Sequence, residues 1–149
     1  MKKISTLILG LVLFTFAASA QVFEPVKWSV ASKKINDKEA VVFVKATIEK
    51  GWHIYSLNLE DGGPIATSFK FTPSKDFSLV GKVAEPKPKH TFESVFNMDV
   101  TYFDNEVVFQ QKVKLNGNTA TVKGVVEWQA CDDERCLPPE EFEFAVNVK

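Results

Sequence analysis

Hydrophobic and polar residues alternate with a period of two along most of the chain that follows residue 21. This alternation is clear in VFVKATIE, VVFQQKVKL, TATVKGVVEW and FEFAVNV. It places the apolar residues of each stretch on one face of an extended strand, as in a half-buried β-sheet. The predicted buried positions are Val42, Val44, Ala46 and Ile48; Val107, Phe109, Val113 and Leu115; Ala120, Val122, Val126 and Trp128; and Phe142, Phe144, Val146 and Val148. Because no helical period accompanies them, the pattern predicts an all-β domain, with Trp52 and Trp128 in its core.

Turn-forming residues separate these strands. They occur as NDKE, EDGGP, TPSKD, EPKPK, FDNE and NGN, and the Asn116-Gly117 pair suits a tight hairpin. About eight short strands at this spacing are typical of a sandwich or a barrel, and we expect an immunoglobulin-like antiparallel β-sandwich rather than a closed barrel. One long stretch, EPKPKHTFESVFNMDV at residues 85–100, is predicted to be irregular, and long loops on a rigid scaffold often carry function.

The first twenty residues have the organisation of a secretory signal. MKK supplies positive charge, LILGLVLFTFAA an apolar stretch, and ASA the small residues of a cleavage site. We therefore predict export to the periplasm, a signal peptide at residues 1–20 that is cleaved after Ala20, and one domain at residues 21–149. No second apolar run reaches membrane length, so no membrane span is expected after cleavage.

The charge of the chain limits the classes of partner that it is expected to bind. The formal net charge is −1, and no basic run with interleaved aromatic residues occurs, so we do not expect nucleic acid as a partner. Proteins or small molecules are the expected partners. No cofactor is indicated, and a metal site is not expected because only His53 and His90 are available to join the cysteines, at unfamiliar spacings.

The only two cysteines lie in CDDERC, with four residues between them. In an oxidising compartment they are expected to form a disulfide, whatever their role. A loop of about six residues contributes only about 2 kcal/mol on the chain-entropy estimate, so the bridge is a weak staple. Neighbouring acids such as Asp132 and Asp133 disfavour a thiolate and only Arg135 favours one, unlike the surroundings of a thioredoxin CxxC. From the residues alone, a structural bridge and redox exchange both remain open, and metal binding is the least favoured of the three uses.

Four segments, taken together and in order, resemble a known family. They are GWHIYS, GGPIATSFKF, FESVFNMDVTYF and CDDERCLPPEEFEF, and the most specific element is the cysteine pair followed by Leu-Pro-Pro-Glu. The resemblance is to the N-terminal periplasmic domain of the thiol:disulfide interchange protein DsbD. It implies an immunoglobulin-like sandwich that relays electrons from a membrane-embedded reductase, through a thioredoxin-like domain, to periplasmic disulfide-containing substrates, including thioredoxins of cytochrome c maturation. Whether the chain is itself a protein-disulfide reductase is left open.

The resemblance also assigns roles to individual residues near the two cysteines. Cys136 is expected to form mixed disulfides, and Cys131 to resolve them. The family shields its disulfide with an aromatic residue on a cap loop, which here corresponds to TFESVFNM. On that basis we expect Phe96 to shield the sulfurs, with Phe92 or Val95 as substitutes. Without the resemblance, Phe92 and Phe96 would be interpreted as ordinary aromatic residues of the core or of a sheet edge. His53 and Tyr55 match positions beside the cysteines, and His53 replaces the more usual tyrosine.

Two departures from the family pattern matter. The cysteines are one residue closer together than in the best-known members, so the geometry of their hairpin is expected to differ, and the register of the cap is left open. The sequence ends at Lys149 without the membrane region and thioredoxin-like domain, so electrons are expected to come from another polypeptide. The alternative, from another functional class, is a non-enzymatic β-sandwich that binds an envelope protein or sugar and uses Cys131–Cys136 as a structural disulfide.

Overall fold

The computed structural model describes residues 23–149, so the predicted signal peptide lies outside the described part of the chain. Those residues form eleven strands and no helix, which confirms the all-β prediction but exceeds the expected eight strands. No helix in this range is long and apolar enough to cross a membrane. The strands are β1 Val26–Asn36, β2 Glu39–Ile48, β3 His53–Tyr55, β4 Ser68–Phe71, β5 Phe77–Ala84, β6 Lys89–Glu93, β7 Met98–Phe103, β8 Glu106–Leu115, β9 Ala120–Trp128, β10 Ala130–Cys131 and β11 Glu140–Val148.

The strands pair antiparallel in three sheets. The first has the order β1-β2-β8-β5, the second β10-β3-β7-β6 and the third β11-β9-β4. Buried residues of the first sheet, such as Val44 and Val113, pack in one cluster with Val122 and Phe144 of the third sheet. Two sheets that bury their apolar faces against each other form a β-sandwich, as the alternation predicts.

The predicted alternation holds along the core strands. In β8 every second residue from Val107 to Leu115 is buried, including the polar Gln111. Its amide nitrogen donates hydrogen bonds to the carbonyl oxygens of Val80, at 3.2 Å, and Lys112, at 2.7 Å. These bonds satisfy a polar group that would otherwise be costly to bury. Trp52 and Trp128 are buried, as predicted.

Two local predictions were wrong. The Asn116-Gly117 turn does not close a hairpin, because it links β8 of the first sheet to β9 of the third. Residues 85–100 are not one irregular stretch, because β6 and β7 pair as a hairpin around a turn at residues 94–97. The turn ends with Asn97 at a φ of 53°, a left-handed conformation that asparagine adopts more readily than most residues.

The cysteine segment connects two strands, β9 and β11, that pair with each other. Trp128, the last residue of β9, pairs with Glu140, the first residue of β11. Residues 129–139 therefore leave the third sheet and return to it, and on the way Ala130 and Cys131 join the second sheet as β10, beside β3. The crossing places the cysteines where the second and third sheets meet.

Candidate functional site

Cys131 and Cys136 form a disulfide across a sequence separation of five residues. The two halves of this bridge are not equally accessible, because Cys131 has 0 % of its surface exposed whereas Cys136 is partly exposed. The two residues also face each other in an antiparallel bridge, which continues with a hydrogen bond from the Leu137 N–H to the Ala130 carbonyl at 2.8 Å. The pair is therefore held on a small, hydrogen-bonded hairpin.

Asp132 organises the turn between the cysteines. Its Oδ1 accepts hydrogen bonds from the backbone N–H groups of Glu134, at 2.9 Å, and Arg135, at 2.8 Å. These two donors hold the pKa of the Asp132 carboxyl below its ordinary value. The Arg135 guanidinium lies over the Trp52 ring, 5.7 Å from its centroid. The acidic turn is thus an ordered structure that fixes the loop around the disulfide.

The short strand β3 presents different residues to its two sides. Ile54 packs in the main core with Phe103 and Trp128. Because side chains alternate along a strand, His53 and Tyr55 face the opposite side. Tyr55 is fully buried there in a cluster with Val100 and Cys131, against which Leu59, Met98, Tyr102 and Cys136 also pack. The disulfide is therefore embedded in an apolar cluster on the outer side of the second sheet.

A polar group of three side chains lies within this region. The His53 Nε2 is 3.2 Å from the Tyr55 hydroxyl and 3.3 Å from Glu93 Oε2, and the Tyr55 hydroxyl donates to the same carboxylate oxygen at 3.4 Å. Glu93 is only 7 % exposed. Burial, and next the charge of Glu93, raise the pKa of Tyr55 above its ordinary value, so the phenol keeps its proton and acts as a donor.

The β6–β7 hairpin bends over the face that carries the cysteines. Glu93 belongs to β6, and β7 separates β6 from β3 in the sheet. Glu93 nevertheless contacts His53 and Tyr55 of β3. Glu93 pairs with Met98, whereas Tyr55 pairs with Tyr102, four residues farther along β7. In a flat sheet Glu93 and Tyr55 would therefore be separated by about 13 Å along the strands, so the hairpin tip folds back over β3.

The structure places the predicted cap residues on this hairpin. Phe92 is 58 % exposed, Val95 is 51 % exposed in the turn, and Phe96 is partly buried. The cluster around Cys131 contains none of the three and instead contains Met98, from the start of β7. The structure therefore brings the cap segment to the site, while shielding by Phe96, Phe92 or Val95 stays a prediction.

The two residues predicted to neighbour the cysteines, His53 and Tyr55, both lie at the site. His53 pairs directly with Cys131 across β3 and β10, and Tyr55 shares its apolar cluster. Two residues of the site, Glu93 and Met98, were not predicted from the sequence. Both belong to the TFESVFNM segment, where an acid among aromatic residues is the one signal of a buried polar contact.

A cleft of about 400 Å³ opens beside the site. Its lining includes His53, Glu93, Phe92, Tyr102 and Asp133, so the polar group of β3 and β6 borders solvent on this side. Among residues 23–149, no three His, Cys, Asp or Glu side chains converge in a way that would hold a metal ion. What the arrangement offers chemically is a disulfide between one buried and one partly exposed cysteine, with an imidazole and a carboxylate in the same region.

Comparisons with known proteins agree with this geometry. A family model described as "Thiol:disulfide interchange protein DsbD, N-terminal" matches residues 20–147. Among curated proteins no match is found.

Three solved structures share the fold at low identity. The reduced DsbD N-terminal domain of Neisseria meningitidis has a TM-score of 0.51 at 20% identity, with 80% of this chain and 84% of that chain covered. The N-terminal periplasmic domain of ScsB from Proteus mirabilis has a TM-score of 0.59 at 17% identity, with 85% and 47% covered. A complex between the DsbD and PilB N-terminal domains of Neisseria meningitidis gives a TM-score of 0.54 at 18% identity, with 84% and 87% covered. At these identities they establish the immunoglobulin-like fold.

Proposed function

The chain belongs to the family of DsbD N-terminal domains, which are thiol:disulfide exchange domains, and we propose that it relays electrons from a thioredoxin-like or membrane-embedded reductase to periplasmic substrate proteins through Cys131 and Cys136. The proposal assigns the attacked sulfur to Cys136 and the resolving sulfur to Cys131.

The unequal exposure of the two cysteines carries this proposal. Thiol–disulfide exchange requires an incoming thiolate to approach one sulfur of the bridge in line with the S–S bond. Cys136 is partly exposed and is therefore open to a partner, whereas the fully buried Cys131 is reached only from within the domain. This asymmetry fits one sulfur that exchanges with other proteins and a second that completes the reaction.

The reaction balances with two cysteines on each side. A thiolate of the reduced partner attacks the Cys136 sulfur, the Cys131–Cys136 bond breaks, and Cys131 leaves with the electron pair and takes up a proton. The partner's second thiolate then attacks the partner's first sulfur in the mixed disulfide, and Cys136 is released as a thiolate. Two electrons and two protons have moved, the partner is a disulfide, and this domain is a dithiol that can reduce the next substrate by the reverse steps.

The proposed partners and compartment follow from the family and the sequence. A DsbD N-terminal domain forms a complex with a PilB N-terminal domain, which supports docking of other redox proteins on this fold. The ScsB relative is described as a periplasmic domain, in agreement with the export signal at residues 1–20. We propose that the mature domain works in the periplasm, where substrates of cytochrome c maturation are among those it serves.

Trapping experiments test the assigned roles. Cys136→Ala should abolish turnover with a reduced thioredoxin-like donor, whereas Lys114→Ala, at an exposed position on β8, should not. Cys131→Ala should accumulate a mixed disulfide that mass spectrometry assigns to Cys136, because the resolving sulfur is gone. An adduct that forms only through Cys131 would reverse the two roles.

The reduction potential separates exchange from the structural alternative. A potential within the range of exchange proteins supports the relay. A value well below about −300 mV would show a disulfide that resists reduction by physiological thiols, and would favour the binding module with a structural bridge. The measurement is equilibration of the wild-type domain with glutathione buffers, followed by quantification of the free thiols.

A further inference from the structure

We propose that His53 is the base that accepts the proton of the Cys131 thiol when Cys131 resolves the mixed disulfide on Cys136, and that Glu93 is the positioning residue that holds the His53 ring. The inference rests on the proposed function and adds to it the group that activates the resolving sulfur.

The position of His53 follows from the strand register. His53 and Cys131 are directly opposed residues of the antiparallel pair β3–β10. Side chains opposed in this way lie on the same face of the sheet, with Cβ atoms about 4.5–5.5 Å apart. Tyr55, two residues along the same face, packs in the cluster of Cys131 and contacts the His53 ring. The register therefore places His53 and the buried Cys131 at directly opposed positions on one face of the sheet.

The hydrogen bonds of the ring leave one nitrogen for proton exchange. Nε2 lies next to Glu93 Oε2 and the Tyr55 hydroxyl. Because Tyr55 gives its own proton to Glu93, the Nε2–H of His53 is the remaining donor to this carboxylate. Within residues 23–149 no hydrogen bond occupies Nδ1, which is the acceptor of the neutral ring in this tautomer. A carboxylate that fixes the tautomer of a histidine base is a recurring catalytic arrangement.

The surroundings of Cys131 explain why the resolving thiol needs a base. The thiolate is the nucleophile, and burial in an apolar cluster disfavours its charge. The acidic turn that follows Cys131 disfavours it further. Cys131 is fully buried, so a water molecule is poorly placed to take its proton. An imidazole, whose charge ordinarily changes between about pH 5 and 8, suits this task.

Several other charged or titratable groups face the His53 ring. From β3, β6 and β7 these are Tyr55, Glu93 and Tyr102, and from the turn after β10 it is Asp132, whose carboxyl interacts with the charge of His53. The adjoining cleft adds Glu49, Lys50, Asp104 and Asp133. Among these groups the Glu93 carboxylate is the one that lies against the ring nitrogen, at 3.3 Å from Nε2.

In the proposed step, the proton of Cys131 moves to His53 and the sulfur then attacks. With a substrate thiol attached to Cys136, the Cys131 S–H bond breaks and its proton moves to His53. The Cys131 thiolate attacks the Cys136 sulfur, the Cys131–Cys136 bond forms, and the substrate leaves as a thiolate with the electron pair. The imidazolium then returns its proton to solvent or to the departing thiolate. The domain is oxidised by two electrons and the substrate disulfide is reduced.

A two-phase reaction with dithiobis(nitrobenzoate) isolates this step. The reduced protein, mixed with one equivalent of the reagent, releases one coloured thiolate as Cys136 is modified and a second as Cys131 resolves the adduct. The first phase depends on reagent concentration and the second does not. We would measure both phases between about pH 5 and 9 for the wild type, His53→Gln and Glu93→Gln. The matched control is His90→Gln, which changes the chain's other histidine, an exposed residue of β6 three positions before Glu93.

His53→Gln should slow the second phase about tenfold or more at pH 7, within the range of general-base catalysis, and leave the first phase unchanged. Its residual rate should rise about tenfold per pH unit, as for an unassisted thiol, while the wild-type rate levels off above the imidazole range. Glu93→Gln should slow the second phase several-fold and alter its pH profile. His90→Gln should match the wild type.

The outcomes separate the two proposals. If the wild type releases both thiolates but His53→Gln and Glu93→Gln leave the second phase and its pH profile unchanged, the base assignment is overturned and the relay stands. If the wild type shows no second phase, Cys131 does not resolve adducts on Cys136, and both proposals fail. Should His53→Gln not fold, as seen in circular dichroism, Glu93→Gln alone decides between these results.

Discussion

The thioether of Met98 lies so close to Gly63 that a Cβ atom on residue 63 would overlap the Met98 sulfur. Met98 in turn packs on the cluster of Tyr55, Val100 and Cys131. The φ of Gly63 is not in the left-handed region, so a side chain on residue 63 is opposed by the packing of Met98 rather than by the turn conformation. The GGP turn thus makes room for the side chain that covers the disulfide cluster.

Gly63→Ala should displace Met98 and speed reduction of Cys131–Cys136 by dithiothreitol several-fold. The added methyl meets the flexible end of the Met98 side chain, so the side chain can move and the free energy of unfolding should change little. The measurement is the second-order rate of reduction. Gly117→Ala is the matched control, because a Cβ there would meet nothing within 4 Å. Equal rates in both variants would show that Met98 does not limit access.

Alanine substitutions on the hairpin tip identify the shielding side chain. The family pattern predicts that Phe96→Ala accelerates reduction by dithiothreitol several-fold with little shift of the equilibrium potential, because one ring blocks the approach of the thiolate. The apolar cluster predicts the same for Met98→Ala. Phe92→Ala should have a smaller effect, because 58 % of Phe92 is exposed.

The rates of the three variants should be compared under matched conditions. If Phe96→Ala and Phe92→Ala both reduce at the wild-type rate, the aromatic cap assignment is wrong, and a fast Met98→Ala would assign the shield to the thioether instead. Unchanged rates in all three variants would show that the hairpin of the cysteines itself, rather than a shielding side chain, limits the rate of reduction.

Removal of the disulfide should leave a folded domain. The bridge closes a loop with a sequence separation of five residues, and a loop this short contributes about 2 kcal/mol on the chain-entropy estimate. The two main apolar clusters lie between sheets and do not contain either cysteine. Urea denaturation of the double variant Cys131→Ala/Cys136→Ala, compared with the oxidised wild type, tests the value. Global unfolding of the variant without urea would identify the bridge as a structural staple.

Asp132 should make the stability of the domain depend on pH in the acid range. Backbone hydrogen bonds lower the pKa of Asp132 in the folded state, so its contribution is present above the ordinary aspartate pKa of about 3.9 and is lost as the pH falls through the lower folded value. Asp132→Asn should be less stable than the wild type at pH 6, and the difference should shrink as the pH falls below the ordinary aspartate pKa and through the lower folded value. Urea titrations of both proteins at several pH values measure it.

Asp133→Asn is the control for this effect. Asp133 is the exposed neighbour of Asp132, and its side chain makes no hydrogen bond to the turn backbone among residues 23–149. A difference of the same size and pH dependence in this variant would assign the effect to the general charge of the turn rather than to the bonds of Asp132.

The core of the fold could be predicted from period-two alternation. Phe144 and Val148 are buried as predicted because β11 buries only one face, so that a shift by one residue would expose all its apolar side chains. Cys131, Cys136, His53 and Tyr55 came from the family resemblance, and the structure places all four together. Alternation was sufficient for the core because it is a short-range pattern, whereas His53 and Cys131 are far apart in the sequence and only the family resemblance brought them together.

The parts that could not be predicted depend on contacts between distant segments. Turn chemistry marks Asn116-Gly117 as a tight turn, but it does not say whether the flanking strands pair with each other or enter different sheets. From the sequence alone, Glu93 is expected to be a solvated acid, because its burial depends on a hairpin that bends over β3. Pro86 and Pro88 obscure the start of that hairpin, because proline is uncommon within paired strands.

The bent hairpin tip couples access to the disulfide to the orientation of His53. Glu93 contacts His53 only while the tip lies over β3, so a docking protein that lifts the tip also separates the carboxylate from the imidazole. Opening of the tip and loss of the His53–Glu93 contact are then two legs of one thermodynamic cycle, and each changes the other's equilibrium constant by the same factor. A chain that lacks this carboxylate should therefore open its tip more readily, and admit a partner at the cost of a less firmly oriented ring.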